Sequence, residues 1–160
     1  MRFLILYSAI IGPFYNIKIF WMELMNMRDE IEQLFADYTW PLDTRDWDGF
    51  DDLFTDDVSA TISIAGEQVM GPLEGKESVV ETFSGAAKGQ TDVRRHVISN
   101  LRLKVIDDNE VDTTAILTLL VVDEGKLELK SSGIYFTRII RGGDDKWRFK
   151  EMQIALDVGF

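Results

Sequence analysis

The sequence predicts an α+β domain of three N-terminal helices packed on a strongly curved, mainly antiparallel β-sheet. Three observations predict it. Apolar residues recur at helical spacing between Arg28 and Trp40. Four long segments rich in β-branched and aromatic residues fill the second half. Short runs of Asp, Asn and Gly separate those segments.

In the first helix, Ile31, Leu34, Phe35 and Tyr38 share one face, and Asp29, Glu30 and Glu32 enrich the first turn, where the helix dipole favours negative charge. Pro41 is expected to kink or end it. Asp43 to Asp46 then reads as a connection to a short second helix, Trp47 to Phe54. Val58 to Ile64 has strand composition and turns at Ala65-Gly66 into a short return arm, Glu67 to Met70, which Gly71-Pro72 should break. A third helix, about Lys76 to Ala87, carries Val79, Val80, Phe83 and Ala87 on one face and stops near Gly89. Strands near 92–106, 110–123, 126–141 and 146–157 complete a meander. Segments this long must coil and bulge, which wraps them around the helices as a half-open cone with an interior suited to a small molecule.

The first 24 residues differ from the rest: apolar and aromatic, with Arg2 near the start and a Gly12-Pro13 interruption. The apolar run Phe3 to Ile11 is too short to span a bilayer, and no small-residue cleavage site follows it. Signal peptide, membrane anchor and translation from upstream of the true start all fit, the last because Met22, Met25 and Met27 precede the first helix. The expected division is therefore a leader or mis-assigned start, 1–24, and a domain, 25–160. The expected location is cytoplasmic, or membrane-anchored or exported if the leader is genuine.

Composition excludes several chemistries. Acidic side chains number 28 against 17 basic ones, and a net charge of −11 repels nucleic acid and anionic lipid. With no cysteine there is no disulfide, thiolate nucleophile or cysteine-bound metal, and one histidine rules out a multi-histidine metal site within the chain. No metal or other cofactor is expected, and no membrane partner for the folded domain. Apolar residues on both parities of 110–122, including Leu117, Leu119, Leu120 and Val122, exceed what one covered face needs. A homodimer through the sheet is expected.

The single histidine, His96, is the one side chain that titrates near neutrality and so the one ready-made general base. Simple alternation groups it with Ile98, Asn100, Arg102 and Lys104, opposite Val97, Leu101, Leu103 and Val105, which argues for an outward ring. A bulge near Ser99 would turn it inward instead, and partial cover of both faces is the other alternative. Asp43, after Pro-Leu at the end of the first helix, is either a turn former or a carboxylate facing the core. Contact between the two side chains decides both, because a carboxylate on one imidazole nitrogen fixes the tautomer and raises the basicity of the other. Tyr38 and Tyr135 are candidates for holding a substrate carbonyl or assisting a leaving group. Trp40 and Trp47 flank Asp43 as candidate pocket walls, Arg45 is expected to pair with Asp46 or Asp57, and Trp147 reads as structural.

Four runs, DYTWPLDTRDWDGFDDLFTDDV, GPLEGKESVVETF, RRHVISNLRL and SGIYFTRIIRGGDDKWRFKEM, resemble the SnoaL-like branch of the nuclear transport factor 2-like superfamily over about residues 28–157. The resemblance implies the cystatin-like cone. Its dehydratase and dehydrochlorinase members pair an aspartate after the first helix with a histidine on the first long strand, and Asp43 and His96 hold those positions. It further implies a cofactor-independent lyase, or an isomerase or cyclase, in which the histidine takes a proton from carbon of a small hydrophobic substrate and the aspartate orients it. Many relatives carry a second histidine just before the first; that position is Arg95 here. Other relatives are companion subunits of ring-hydroxylating dioxygenases, so a ligand-binding or assembly module is the alternative, and trimers among the dehydratase-like relatives imply a homotrimer as the other subunit count.

Overall fold

The structure, a computed structural model, describes residues 25–159; the expectations for residues 1–24 lie outside them. The chain divides into two compact units, 1–32 and 33–160. In the first, 25–32 is helical, with Arg28 and Glu32 paired at 2.8 Å one turn apart. No helix among the described residues is long and apolar enough to cross a membrane.

In the second unit, helix α1 (25–44 in all) contributes Leu34, Phe35, Tyr38 and Leu42, a buried stripe at three- and four-residue spacing. The sequence predicts that Pro41 kinks or ends the helix; the helix instead runs on to residue 44. Only one turn follows Pro41, and its terminal carbonyls are satisfied: the Arg45 N–H reaches the Pro41 carbonyl at 2.7 Å and the Thr44 hydroxyl caps the Trp40 carbonyl at 2.7 Å. Asp43 is consequently a helical residue. The expected second helix is a single 3-10 turn, Phe50–Leu53.

Strands β1 (Phe54–Ile64), β2 (Glu67–Glu74), β3 (Val93–Asp107), β4 (Glu110–Asp123), β5 (Lys126–Arg141) and β6 (Trp147–Leu156) form one sheet in the order β2-β1-β6-β5-β4-β3. Helix α2 (Lys76–Lys88) joins β2 to β3. The four meander strands fall within a residue or two of their expected limits. All pairings are antiparallel except β1 with β6, whose parallel contact brings the first and last strands together.

Gly71-Pro72 does not stop β2. The strand lies at the sheet edge, where a proline costs no ladder bond, and the irregularity is absorbed between the Ala60–Leu73 and Ile62–Met70 pairs. Gly71 is needed there: its φ is 89°, and a Cβ would stand 2.5 Å from the Ala60 carbonyl oxygen.

The core lies on the face of the sheet lined by Val111, Leu119, Ile139, Phe149 and Met152. Tyr38 sits at the centre of an aromatic cluster, with ring centroids 5.5 Å from Phe149, 6.0 Å from Phe50 and Tyr135, and 6.1 Å from Phe83. Most of these pairs are edge-to-face, the arrangement the ring quadrupoles favour. Trp147 is buried, in keeping with a structural part.

Candidate active site

The ring orientation of His96 depends on one irregularity in β3. Pairing with β4 is regular from Val93 to Ser99 and resumes at Arg102, with one residue more on β3 than on β4 between those points. Asn100 takes the strain, with φ at 53°, a left-handed conformation that asparagine tolerates better than most residues. Alternation therefore changes phase. Leu101 and Leu103 are the more covered residues after the bulge, and Arg94, His96 and Ile98 are the more covered ones before it. His96 turns inward and Arg95 outward.

Asp43 meets His96 there. Its Oδ1 lies 2.6 Å from the His96 Nδ1, and both carboxylate oxygens accept the His96 backbone N–H, at 3.1 and 3.0 Å. The two side chains are only 13% and 12% exposed, so water competes weakly for these bonds. A carboxylate can only accept, which places the imidazole proton on Nδ1 and leaves the Nε2 lone pair available in the neutral ring.

His96 lines a cavity of about 280 Å3 between α1, α2 and the sheet. Its wall is mostly apolar, with Leu42, Ile62, Met70, Phe83, Leu117 and Ile154; the polar contributions are His96, Arg94, Gln90, Tyr38 and Tyr135. Both phenols are buried and hydrogen-bonded to each other, Tyr38 donating to Tyr135. Burial in this apolar setting pushes the Tyr38 phenol well above its ordinary range. It raises Tyr135 to about 12, with the Asp43 charge adding to the rise and the bond from Tyr38 opposing it. Each phenol stays neutral at physiological pH.

Two cavity residues escaped the sequence reading. Arg94 is 8% exposed and gripped by Asp92, with Nε to Oδ1 at 2.8 Å and Nη2 to Oδ2 at 3.1 Å. The hydrogen bonds from Arg94, more than any other influence, hold the Asp92 carboxyl below the usual carboxylate range. Its two-residue spacing from His96, one full strand period, was the signal that could have identified it. The Gln90 side-chain oxygen is buried without a hydrogen-bond partner among the described residues, an acceptor open to a donor brought by a ligand. Being in a connection between α2 and β3, Gln90 left no periodic trace.

The two tryptophans do not line the cavity. At about 100° per residue Trp40 lies far round the helix from Tyr38 and Leu42, and because α1 continues through Pro41 it faces solvent, 64% exposed. Trp47 packs edge-on against Phe50 at 5.2 Å beneath the Lys88 ammonium. Arg45 pairs with neither Asp46 nor Asp57. Its Nη2 donates to the Gln90 and Asp92 carbonyls, at 3.1 and 3.2 Å, tying the end of α1 to the segment that carries the cavity's polar residues. Among the described residues no three acidic or histidine side chains gather as a metal site.

No curated protein matches the chain. Among solved structures, a β subunit proposed for an aromatic-ring-hydroxylating dioxygenase of Novosphingobium aromaticivorans DSM 12444 is 19% identical with a TM-score of 0.71, over 86% of this chain and 93% of its own. A proposed scytalone dehydratase of the same organism is 21% identical with a TM-score of 0.66, over 84% and 86%. LinA is 20% identical with a TM-score of 0.70, over 85% and 89%. Likeness at these identities shows the fold alone, a cystatin-like one. The sequence model of the SnoaL-like domain matches residues 23–153, and with that match the chain belongs to the SnoaL-like domain family.

Proposed function

We propose that the chain is a cofactor-independent lyase-type enzyme that takes a proton from carbon of a small hydrophobic substrate held in the cavity, with His96 as the base and Asp43 as its orienting partner. The observation that carries this reading is the 2.6 Å contact between Asp43 and His96 Nδ1 at the wall of an apolar cavity. Loss of a leaving group from the adjacent carbon completes an elimination or dehydration; the same first step also begins an isomerisation or cyclisation. The likeness in fold to LinA and to the proposed scytalone dehydratase supports the lyase branch.

The test needs no knowledge of the natural substrate. 2-Tetralone has acidic hydrogens beside its carbonyl, and their exchange in D2O is read directly by proton NMR. Wild-type protein should accelerate exchange over buffer, and His96→Gln should return it to the buffer rate. Equal rates with wild type and His96→Gln would sink the reading.

A second reading, an assembly module, is favoured by the likeness to a dioxygenase β subunit and by exposed apolar residues on the outer face of the sheet. There Ile116 pairs with Ile134, and Phe136 stands beside them opposite Thr114. We take that patch as the contact through which the chain forms a homodimer, with a homotrimer as the other arrangement. Neither assembly conflicts with a working cavity on the opposite face.

A further inference from the structure

We propose that Arg94 is the oxyanion-binding residue of the cavity, so that the substrates taken there carry a carbonyl next to the C–H bond that His96 attacks. The proposal rests on the reading above for the identity of the base.

Arg94 and His96 are two positions apart in a regular stretch of β3 and share a face, roughly 6–7 Å from each other along the strand. A base and a cation at that separation match the two ends of an H–C–C=O fragment once side-chain reach is included. Arg94 is also fixed in place. Asp92 holds its Nε and Nη2 edge, so little conformational entropy is lost when a ligand arrives.

The other polar groups are less suited. The Tyr38 hydrogen is committed to Tyr135, and burial makes both phenols weaker acids than usual. Arg45 is committed to the Gln90 and Asp92 carbonyls. A guanidinium keeps its charge whatever the cavity does, and in an apolar enclosure that charge acts strongly on an oxygen that becomes negative.

The step balances without a further reactant. His96 Nε2 takes the α proton, the C–H pair becomes a carbon–carbon double bond, and the carbonyl π pair moves onto oxygen beside Arg94. When that pair returns it expels the β substituent, which leaves with its bonding pair and, if it is hydroxide, takes the proton from His96 to depart as water.

The test uses 4-nitrophenol, whose anion mimics the enolate oxygen and absorbs separately from the neutral phenol. Bound to wild type, its titration midpoint should fall by one unit or more, an anion preference of at least about tenfold. Arg94→Met should bring the preference to within about twofold of free solution, and Arg94→Lys should keep part of it. His96→Gln should leave it in place, which separates this idea from the identity of the base. Retained circular dichroism in Arg94→Met guards against simple unfolding. A titration unmoved by wild-type protein, or moved equally by Arg94→Met, overturns the proposal.

Discussion

Replacing Asp43 by Asn changes one oxygen to an amide nitrogen at the point where the His96 ring and backbone converge. The carboxylate accepts from two donors, Nδ1–H at 2.6 Å and the backbone N–H at 3.0 and 3.1 Å. With its oxygen at the Oδ1 position the amide accepts both donors only by setting its NH2 3.0 Å from the backbone N–H, donor against donor; the favoured arrangement is the other way round, with its oxygen on the backbone N–H and its NH2 donating to Nδ1. The imidazole must then carry its proton on Nε2, and the lone pair facing the cavity is lost. Exchanging two charge-assisted hydrogen bonds for two neutral ones costs about 1 kcal/mol each, so about 2 kcal/mol of stability and roughly 4–8 °C in melting midpoint. Proton transfer should fall far more, by about 100- to 10,000-fold, because the base is in the wrong tautomer. Nitrogen-15 shifts of the imidazole report the tautomer, and 2-tetralone exchange reports the base. A variant that melts within a degree of wild type and keeps Nδ1–H would refute the reasoning.

Other expectations follow from the same geometry. The Tyr135 phenol has a folded-state pKa of about 12 against an ordinary value of 10, so between those values the unfolded chain has released a proton that the folded chain keeps. The contribution of Tyr135 is thus complete below pH 10 and falls by about 3 kcal/mol as pH rises to 12; Tyr38, also raised by burial, adds a fall of its own, so Tyr135→Phe should make that part of a urea-denaturation series shallower without flattening it. Asn100→Val forces a β-branched residue into left-handed backbone and should lower stability by about 1–2 kcal/mol, with Asn100→Gly near neutral in the same assay. Phe136→Glu places a charge in the outer apolar patch and, if the chain dimerises there as proposed, should convert dimer to monomer in size-exclusion chromatography with light scattering; a wild type of monomer mass refutes the dimer, and an unchanged dimer mass places the contact on another surface.

The meander was legible because its signals are local. Turn residues such as Asp107-Asp108-Asn109 and Asp123-Glu124-Gly125 mark strand ends whatever the rest of the chain does, and the structure turns there. The run through Pro41 and the continuation of β2 through Gly71-Pro72 were not legible, because each depends on position within a larger element. One proline is tolerated in a last helical turn, the other at a sheet edge. The Asp43–His96 pairing was visible only through family resemblance. Alternation extrapolated back from Leu101 and Leu103 sends His96 to the wrong face, and the single extra residue at Asn100 reverses that answer. Arg94 could have been inferred once His96 was known to point inward, but Gln90, on a connection without periodicity, could not.

The parallel contact of β1 with β6 sets an order of events during synthesis. Phe54 aligns with Phe149, and Ile62 with Ile154, so the second strand position in the sheet cannot be filled from both sides until nearly the whole chain has left the ribosome. Until then the β1–β2 hairpin carries an open row of backbone donors and acceptors, while β3 to β5 can pair among themselves. Such distant pairing implies slow folding governed by the closure of a long loop. A chain stopped before Trp147 would keep both members of the Asp43–His96 pair in its sequence yet expose two strand edges, at β1 and β5, where other copies can add. Aggregation of nascent or truncated chains, more than loss of chemistry, is the hazard this topology carries.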